Sequence, residues 1–198
     1  MESLRALDEA LFLLINNGLS NPVLDVVMTF ASVAGDAPGW IIGGIAGIFY
    51  FDRANFKRRA VTFLLLMAAA GLLLNVTKNV FERDRPLEKF KQRLDAGEVI
   101  IHTPYNKLWA RSFPSGHSQA AFTAATFFAL YYRRFQWALF GTAALVALSR
   151  VYVGAHFPAD IVAGSLFGWL MAYIWWRMDP QAPRPIQVAE VETGAAVK

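Results

Sequence analysis

The chain contains no cysteine, which excludes disulfides and thiolate metal sites and leaves the redox compartment unreadable. It is also poor in charge. Only 17% of its 198 residues are Asp, Glu, Lys or Arg, against about 25% in soluble domains. The N-terminus lacks signal-peptide order: acids come early, at Glu2, Asp8 and Glu9, and no small-residue cleavage site follows a basic start. Targeting is therefore expected to rest with uncleaved membrane helices. There is no internal repeat. What the chain has instead is apolar: 56% of residues are hydrophobic and the mean hydropathy is +0.35. That balance places it among membrane proteins before any motif is read. The formal charge of +4 suits anionic headgroups or an anionic substrate. The basic residues fall in loops between apolar segments rather than on one polar face, so nucleic acid is not expected as a partner.

Five segments read as spanning helices, at about 38–51, 60–80, 117–132, 135–151 and 159–176. Several fall near or below the roughly 17–25 residues needed to cross hydrocarbon, so their ends must extend into the interface. Residues 4–17 are apolar but carry Asp8 and Glu9, and 23–33 is too short to span alone. Residues 1–34 are thus expected to form an interfacial hairpin, with a sixth span as the alternative. The fold class is all-α, a multi-pass transmembrane bundle of five to six spanning helices, forming one embedded domain over 1–178. The stretch 179–198, punctuated by Pro180, Pro183 and Pro185, reads as a disordered tail. Arg53, Lys57, Arg58 and Arg59 crowd one tight connection and Arg133 and Arg134 another. Positive-inside bias puts both in the cytoplasm, which leaves the 81–116 and 152–158 loops outside. The first of these is itself basic, so counting alone does not separate the sides.

Three clusters carry candidate chemistry, all within 78–160. Lys78 stands six residues before Arg85-Pro86, Pro114-Ser115-Gly116-His117 opens a helix, and Ser149-Arg150 precedes His156 and Asp160. Lys78, Arg85 and Arg150 supply fixed cations, arginine with a planar fork suited to phosphate oxygens. Ser115 and Gly116 precede a helix whose N–H groups and dipole favour an anion. Histidine can attack phosphorus or deliver a proton near neutral pH. Asp160, four residues after His156, is placed to accept its ring N–H and fix the tautomer. Taken singly each cluster has a plainer structural use: a headgroup anchor, a turn and cap, a helix-start acid. His102 is assigned to that plainer class, as an interfacial histidine, and nothing fixes Tyr105 or Arg111 near the site. The few acids near the motifs, Glu82, Asp84 and Asp160, form no obvious metal set, so neither metal nor cofactor is expected.

The ordered triple Lys-x6-Arg-Pro, Pro-Ser-Gly-His and Ser-Arg-x5-His-x3-Asp resembles the signature of the type 2 phosphatidic acid phosphatase superfamily, which also holds vanadium haloperoxidases and glucose-6-phosphatase. The resemblance implies a helical bundle, metal-independent hydrolysis and a phosphohistidine intermediate. It makes His156 the nucleophile, Asp160 its orienting partner and His117 the proton donor to the leaving group. Lys78, Arg85, Ser115, Gly116 and Arg150 would hold the phosphoryl oxygens. The small size and short outer loops resemble bacterial undecaprenyl diphosphate phosphatases and phosphatidylglycerophosphate phosphatases. The expectation is therefore an enzyme of the cell (inner) membrane with its site facing the extracytoplasmic side, no obligate protein partner, and undecaprenyl diphosphate as first-choice substrate. Phosphatidylglycerophosphate, phosphatidic acid and lipid A phosphates are the alternatives. A vanadate-dependent haloperoxidase and a non-catalytic membrane protein are rival readings from other classes.

Overall fold

The computed structural model describes residues 2–105, 107–133 and 135–183. Arg134 and the stretch 184–198 of the expected tail lie outside the described residues. Those described are helical and loop, with no strand among them. The order is α1 (Glu2–Leu13), a π-helical turn (Leu14–Gly18), α2 (Pro22–Ala34), α3 (Ala37–Phe51), α4 (Phe56–Phe81), two short helices α5 (Pro86–Lys89) and α6 (Lys91–Asp95), α7 (Gly116–Tyr132), α8 (Gln136–Tyr152) and α9 (Pro158–Met178).

The helices α3, α4, α7, α8 and α9 coincide with the five expected spans. By length and apolarity alone, the helical run over 53–95 that contains α4, and α9, are long enough to cross a membrane. The 17 residues of α7 and of α8 reach about 25 Å. In the N-terminal region, α1 with its π-helical turn is bent by 118° against α2. Asn21 makes the corner, its side chain accepting from the N–H groups of Val23 and Leu24 ahead of Pro22.

At the centre stands α7, packed on α3, α4, α8 and α9. Its buried face is small, with Ala120, Ala121, Ala124 and Ala125, so neighbouring backbones come close. The approach to α9 is closest. A Cβ on Gly164 would lie 2.4 Å from the Ser115 carbonyl oxygen, and one on Gly168 would lie 2.3 Å from that of Gln119. These two glycines, one turn apart, are what lets the start of α7 reach the start of α9.

At the end of the bundle away from the motifs, Arg59 is buried. It pairs with Asp52 at 3.7 Å and Asp179 at 3.5 Å, and Asp179 also accepts from Tyr131 Oη at 2.8 Å. The first residues of the expected tail are therefore tied to the core, and Ala182 is buried too.

Candidate active site

Each motif sits where a helix starts or stops. The helix α8 ends at Tyr152, and Gly154, at φ +76°, turns the chain back so that the N–H groups of Ala155 and His156 both donate to the Arg150 carbonyl, at 3.0 and 3.1 Å. The five-residue gap between arginine and histidine is this turn. Pro158 then opens α9, and Asp160, in its first turn, accepts from the Phe157 N–H at 2.9 Å. Ser115 caps α7, its Oγ accepting from the Ser118 N–H at 3.4 Å, while its own N–H donates to the Asp160 carbonyl at 3.0 Å. The packing of α7 on α9 therefore uses the Ser115 N–H. No partner among the described residues takes the N–H of Gly116 or His117, which remain open at the helix start.

The histidine and carboxylate meet as the spacing requires. His156 Nδ1 lies 3.5 Å from Asp160 Oδ2, with His156 2% exposed and Asp160 0%. On the other side of the ring, Arg85 Nη1 lies 3.4 Å from Nε2. A guanidinium can only donate, so Nε2 carries the lone pair and the ring proton sits on Nδ1, facing Asp160. Burial above all, helped by the charge of Arg85 and opposed by the bond to Asp160, holds the His156 pKa down to about 3. The imidazole is therefore neutral at physiological pH. Arg85 is itself anchored, with Nε donating to the Ala110 carbonyl at 2.7 Å and Nη1 to that of Ala155 at 2.9 Å.

Lys78, at the end of α4, donates from Nζ to the Arg111 carbonyl at 3.0 Å and stands close enough to Arg85, Arg150 and Asp160 to feel their charges. His117 and Arg150 line a cavity of about 230 Å³ with Ser32, Asp36, Tyr105 and Ala155. His117 Nε2 is 3.6 Å from Asp36 Oδ1, and Arg150 Nη1 donates to Ser32 Oγ. The Arg150 Nε is buried with no partner among the described residues. Lys78, Arg85, Arg150, His117, His156 and Asp160 thus occupy one end of the bundle, where fixed cations ring a neutral imidazole backed by a carboxylate. Such a set can hold a tetrahedral anion and attack it.

The structure adds residues that sequence reasoning missed. Ser112 Oγ donates to Asp160 Oδ2 at 2.5 Å. Arg83 binds Asp160 Oδ1 and Asp8 Oδ2, each at 2.6 Å, with its guanidinium over the Phe157 ring. Asp8 also accepts from the Ala159 N–H at 2.8 Å, so the N-terminal helix closes the site from behind. Ser112, two residues before Pro114, carried a faint signal. Asp8 carried none, since 151 residues separate it from Ala159. Of the residues left aside earlier, Tyr105 does line the cavity, whereas Arg111 turns to Asn79 at 3.3 Å. His102 is a clamp: its Nε2 lies 2.6 Å from Asp25 Oδ1, and Asn16 bonds both its N–H and its carbonyl at 2.8 Å.

Residues 59–184, which contain all of these motifs, match the model of the PAP2 superfamily. The chain belongs to that superfamily. An undecaprenyl-diphosphatase of Sulfolobus acidocaldarius is 30% identical over 175 residues, covering 87% of this chain and 79% of the relative. A lipid A 1-phosphatase of Rhizobium etli is 42% identical over 102 residues. The match to the latter spans about two-fifths of that relative's length. Among solved structures, the first transmembrane PAP2-type phosphatidylglycerolphosphate phosphatase of Bacillus subtilis superposes with a TM-score of 0.71 at 25% identity, covering 93% of this chain and 90% of that one. The Aquifex aeolicus LpxE structure does so at 0.69 and 29%, covering 85% and 93%.

Proposed function

We propose that this PAP2 protein is a multi-pass membrane lipid phosphatase working through a phosphohistidine, with undecaprenyl diphosphate as its substrate. The observation that carries the chemistry is the orientation of His156: Nδ1–H towards Asp160 and the Nε2 lone pair towards Arg85. In this reading Nε2 attacks phosphorus as the P–O bond to the lipid breaks. The leaving oxygen takes a proton from His117, and Asp160 steadies the imidazolium character that develops on His156. Lys78, Arg85 and Arg150, with the free N–H groups at the start of α7, hold the phosphoryl oxygens as charge moves between them. Water then attacks the phosphohistidine and gives His117 its proton back. Inorganic phosphate leaves and both histidines are restored.

The long-range likeness to the Sulfolobus undecaprenyl-diphosphatase supports the substrate. The higher but shorter identity to the Rhizobium lipid A 1-phosphatase supports lipid A phosphate as the second reading. The exposed Arg53 and Lys57, at the end of the bundle opposite the site, support an extracytoplasmic site by positive-inside bias.

The test is phosphate release by the purified protein in detergent from undecaprenyl diphosphate, phosphatidylglycerophosphate, phosphatidic acid, lipid A and a soluble phosphate ester, with radiolabel trapping on the protein. Undecaprenyl diphosphate is expected to turn over fastest, with label trapped in the wild type and absent from His156→Ala. Equal turnover of every lipid would remove the substrate assignment, and label persisting in His156→Ala would remove the mechanism.

A further inference from the structure

A second hollow lies beside the phosphate-holding cavity and differs from it in every respect. It has a volume of about 430 Å³ and runs between α3, α7 and α8, lined by Gly39, Gly43 and Gly47 on one wall and by Phe128, Leu139 and Val146 on the other. The three glycines recur every fourth residue, so they form one stripe along α3. They are not alike in purpose. A Cβ at Gly39 would lie 2.1 Å from the Ala34 carbonyl oxygen, so glycine there is needed for the turn between α2 and α3. A Cβ at Gly43 would meet nothing within 4 Å, and one at Gly47 would only touch the Phe128 ring at 3.4 Å. At Gly43 helix packing does not call for glycine, and glycine in a helix interior costs about 1 kcal/mol relative to alanine. The lack of a side chain at Gly43 leaves that part of the hollow's wall bare.

The groove and the catalytic cavity are neighbours on the same elements. In the last turn of α2 and the two residues after it, Ala31, Ala34 and Gly35 line the groove while Ser32, Val33 and Asp36 line the cavity. On α8, Val146 lines the groove and Arg150, one turn on, lines the cavity. A phosphate gripped by Arg150 would therefore lie at the end of the bundle from which the apolar trough starts, with Val146 of the trough one helical turn back along α8. The trough then runs from Gly39 to Phe51 at the far end of α3, about 18 Å of helix. That exceeds the roughly 15 Å of hydrocarbon in one leaflet, half of a core about 30 Å thick. Its volume of about 430 Å³ suits an apolar chain laid along α3.

We infer that this groove binds the tail of the substrate, and that it selects a single chain longer than one leaflet is deep, as in a polyprenyl phosphate or diphosphate, over a two-chain glycerolipid. The inference rests on the lipid phosphatase reading above and names which lipid class that site takes. Apolar burial along the trough would add binding energy remote from the reacting phosphorus.

The test compares kcat/KM in detergent for two substrates with the same diphosphate headgroup, a long polyprenyl diphosphate and a short water-soluble prenyl diphosphate. Gly43→Leu fills the groove from α3, and Thr142→Phe narrows it from α8. Gly71→Leu, on α4, places the same bulk where an added Cβ also meets nothing within 4 Å but outside the groove. The long-to-short ratio of kcat/KM is expected to fall at least tenfold in Gly43→Leu and in Thr142→Phe, and to hold at the wild-type value in Gly71→Leu. A ratio unchanged in both groove variants, or lowered equally by Gly71→Leu, overturns the groove assignment while leaving the phosphatase reading intact. Wild-type protein that cleaves neither diphosphate overturns the polyprenyl diphosphate substrate reading, and the groove assignment with it.

Discussion

The guanidinium of Arg83 lies 2.6 Å from the fully buried carboxylate of Asp160. Its other Nη is held by Asp8 of α1, also at 2.6 Å, so one arginine compensates two carboxylates and joins the N-terminal helix to the histidine's partner. Arg83→Gln leaves both acids without their cation. The expected loss is about 3 kcal/mol of stability, at the lower end for a broken buried pair because the arginine side chain is 30% exposed. A roughly tenfold fall in kcat should accompany it as Asp160 shifts. Asp8→Asn, which spares the Arg83–Asp160 pair, should cost less on both counts. Thermal unfolding and kcat in detergent decide this, and equal effects of the two variants would contradict it.

Ser112 is fully buried and donates to the other oxygen of Asp160, with its Oγ 3.4 Å from His156 Nδ1. Removing that donor in Ser112→Ala takes away a bond to a charged group, about 1.5–3 kcal/mol, and loosens the ring. We expect kcat to drop about tenfold with KM little changed. A raised KM at constant kcat would mean that Ser112 contacts substrate instead.

If His117 protonates the leaving group, its value depends on how much that group needs the proton. His117→Ala should lose about 10²- to 10⁴-fold in kcat on an alkyl phosphate. On a nitrophenyl phosphate, whose leaving oxygen departs unprotonated, the loss should be under about tenfold. Equal losses on both would assign His117 to binding.

The pH dependence follows from His156, whose folded pKa is about 3 against about 6.5 for a free imidazole. Above pH ~6.5 the ring is neutral in both folded and unfolded chain, and its contribution to stability is fully present. As pH falls from there towards 3 the unfolded chain takes up the proton first, so stability is lost across that window. Tm should therefore fall with pH more steeply in the wild type than in His156→Gln. If His156 is the nucleophile, the acid limb of kcat/KM should likewise lie well below 6.5, since its ring stays neutral. An acid limb centred near 6.5 would place His156 in water rather than in the interior.

Much of the fold was legible because membrane helices announce themselves locally: apolar runs give the positions of α3, α4, α7, α8 and α9 to within a few residues. The spacing of arginine, histidine and aspartate was legible for the same reason, since the Gly154 turn and the Pro158 helix start are local events. Ser115 was legible as the start of a helix, whereas the use of its own N–H was not. That N–H is taken by a carbonyl 45 residues away, and no local pattern reports it.

From its order of residue types, this chain alone determined that it is helical and apolar and that it carries three clusters of basic and histidine residues at helix ends. Only the tertiary structure decided which groups those clusters meet. It placed Arg83 and Ser112 on Asp160, brought Asp8 to Ala159, 151 residues further along the chain, and left an apolar hollow beside α3. The reason is physical. Helix formation is written in the four or so residues around each position, whereas the close approach of α7 to α9 through Gly164 and Gly168, and the pairing of buried charges, depend on how finished helices pack.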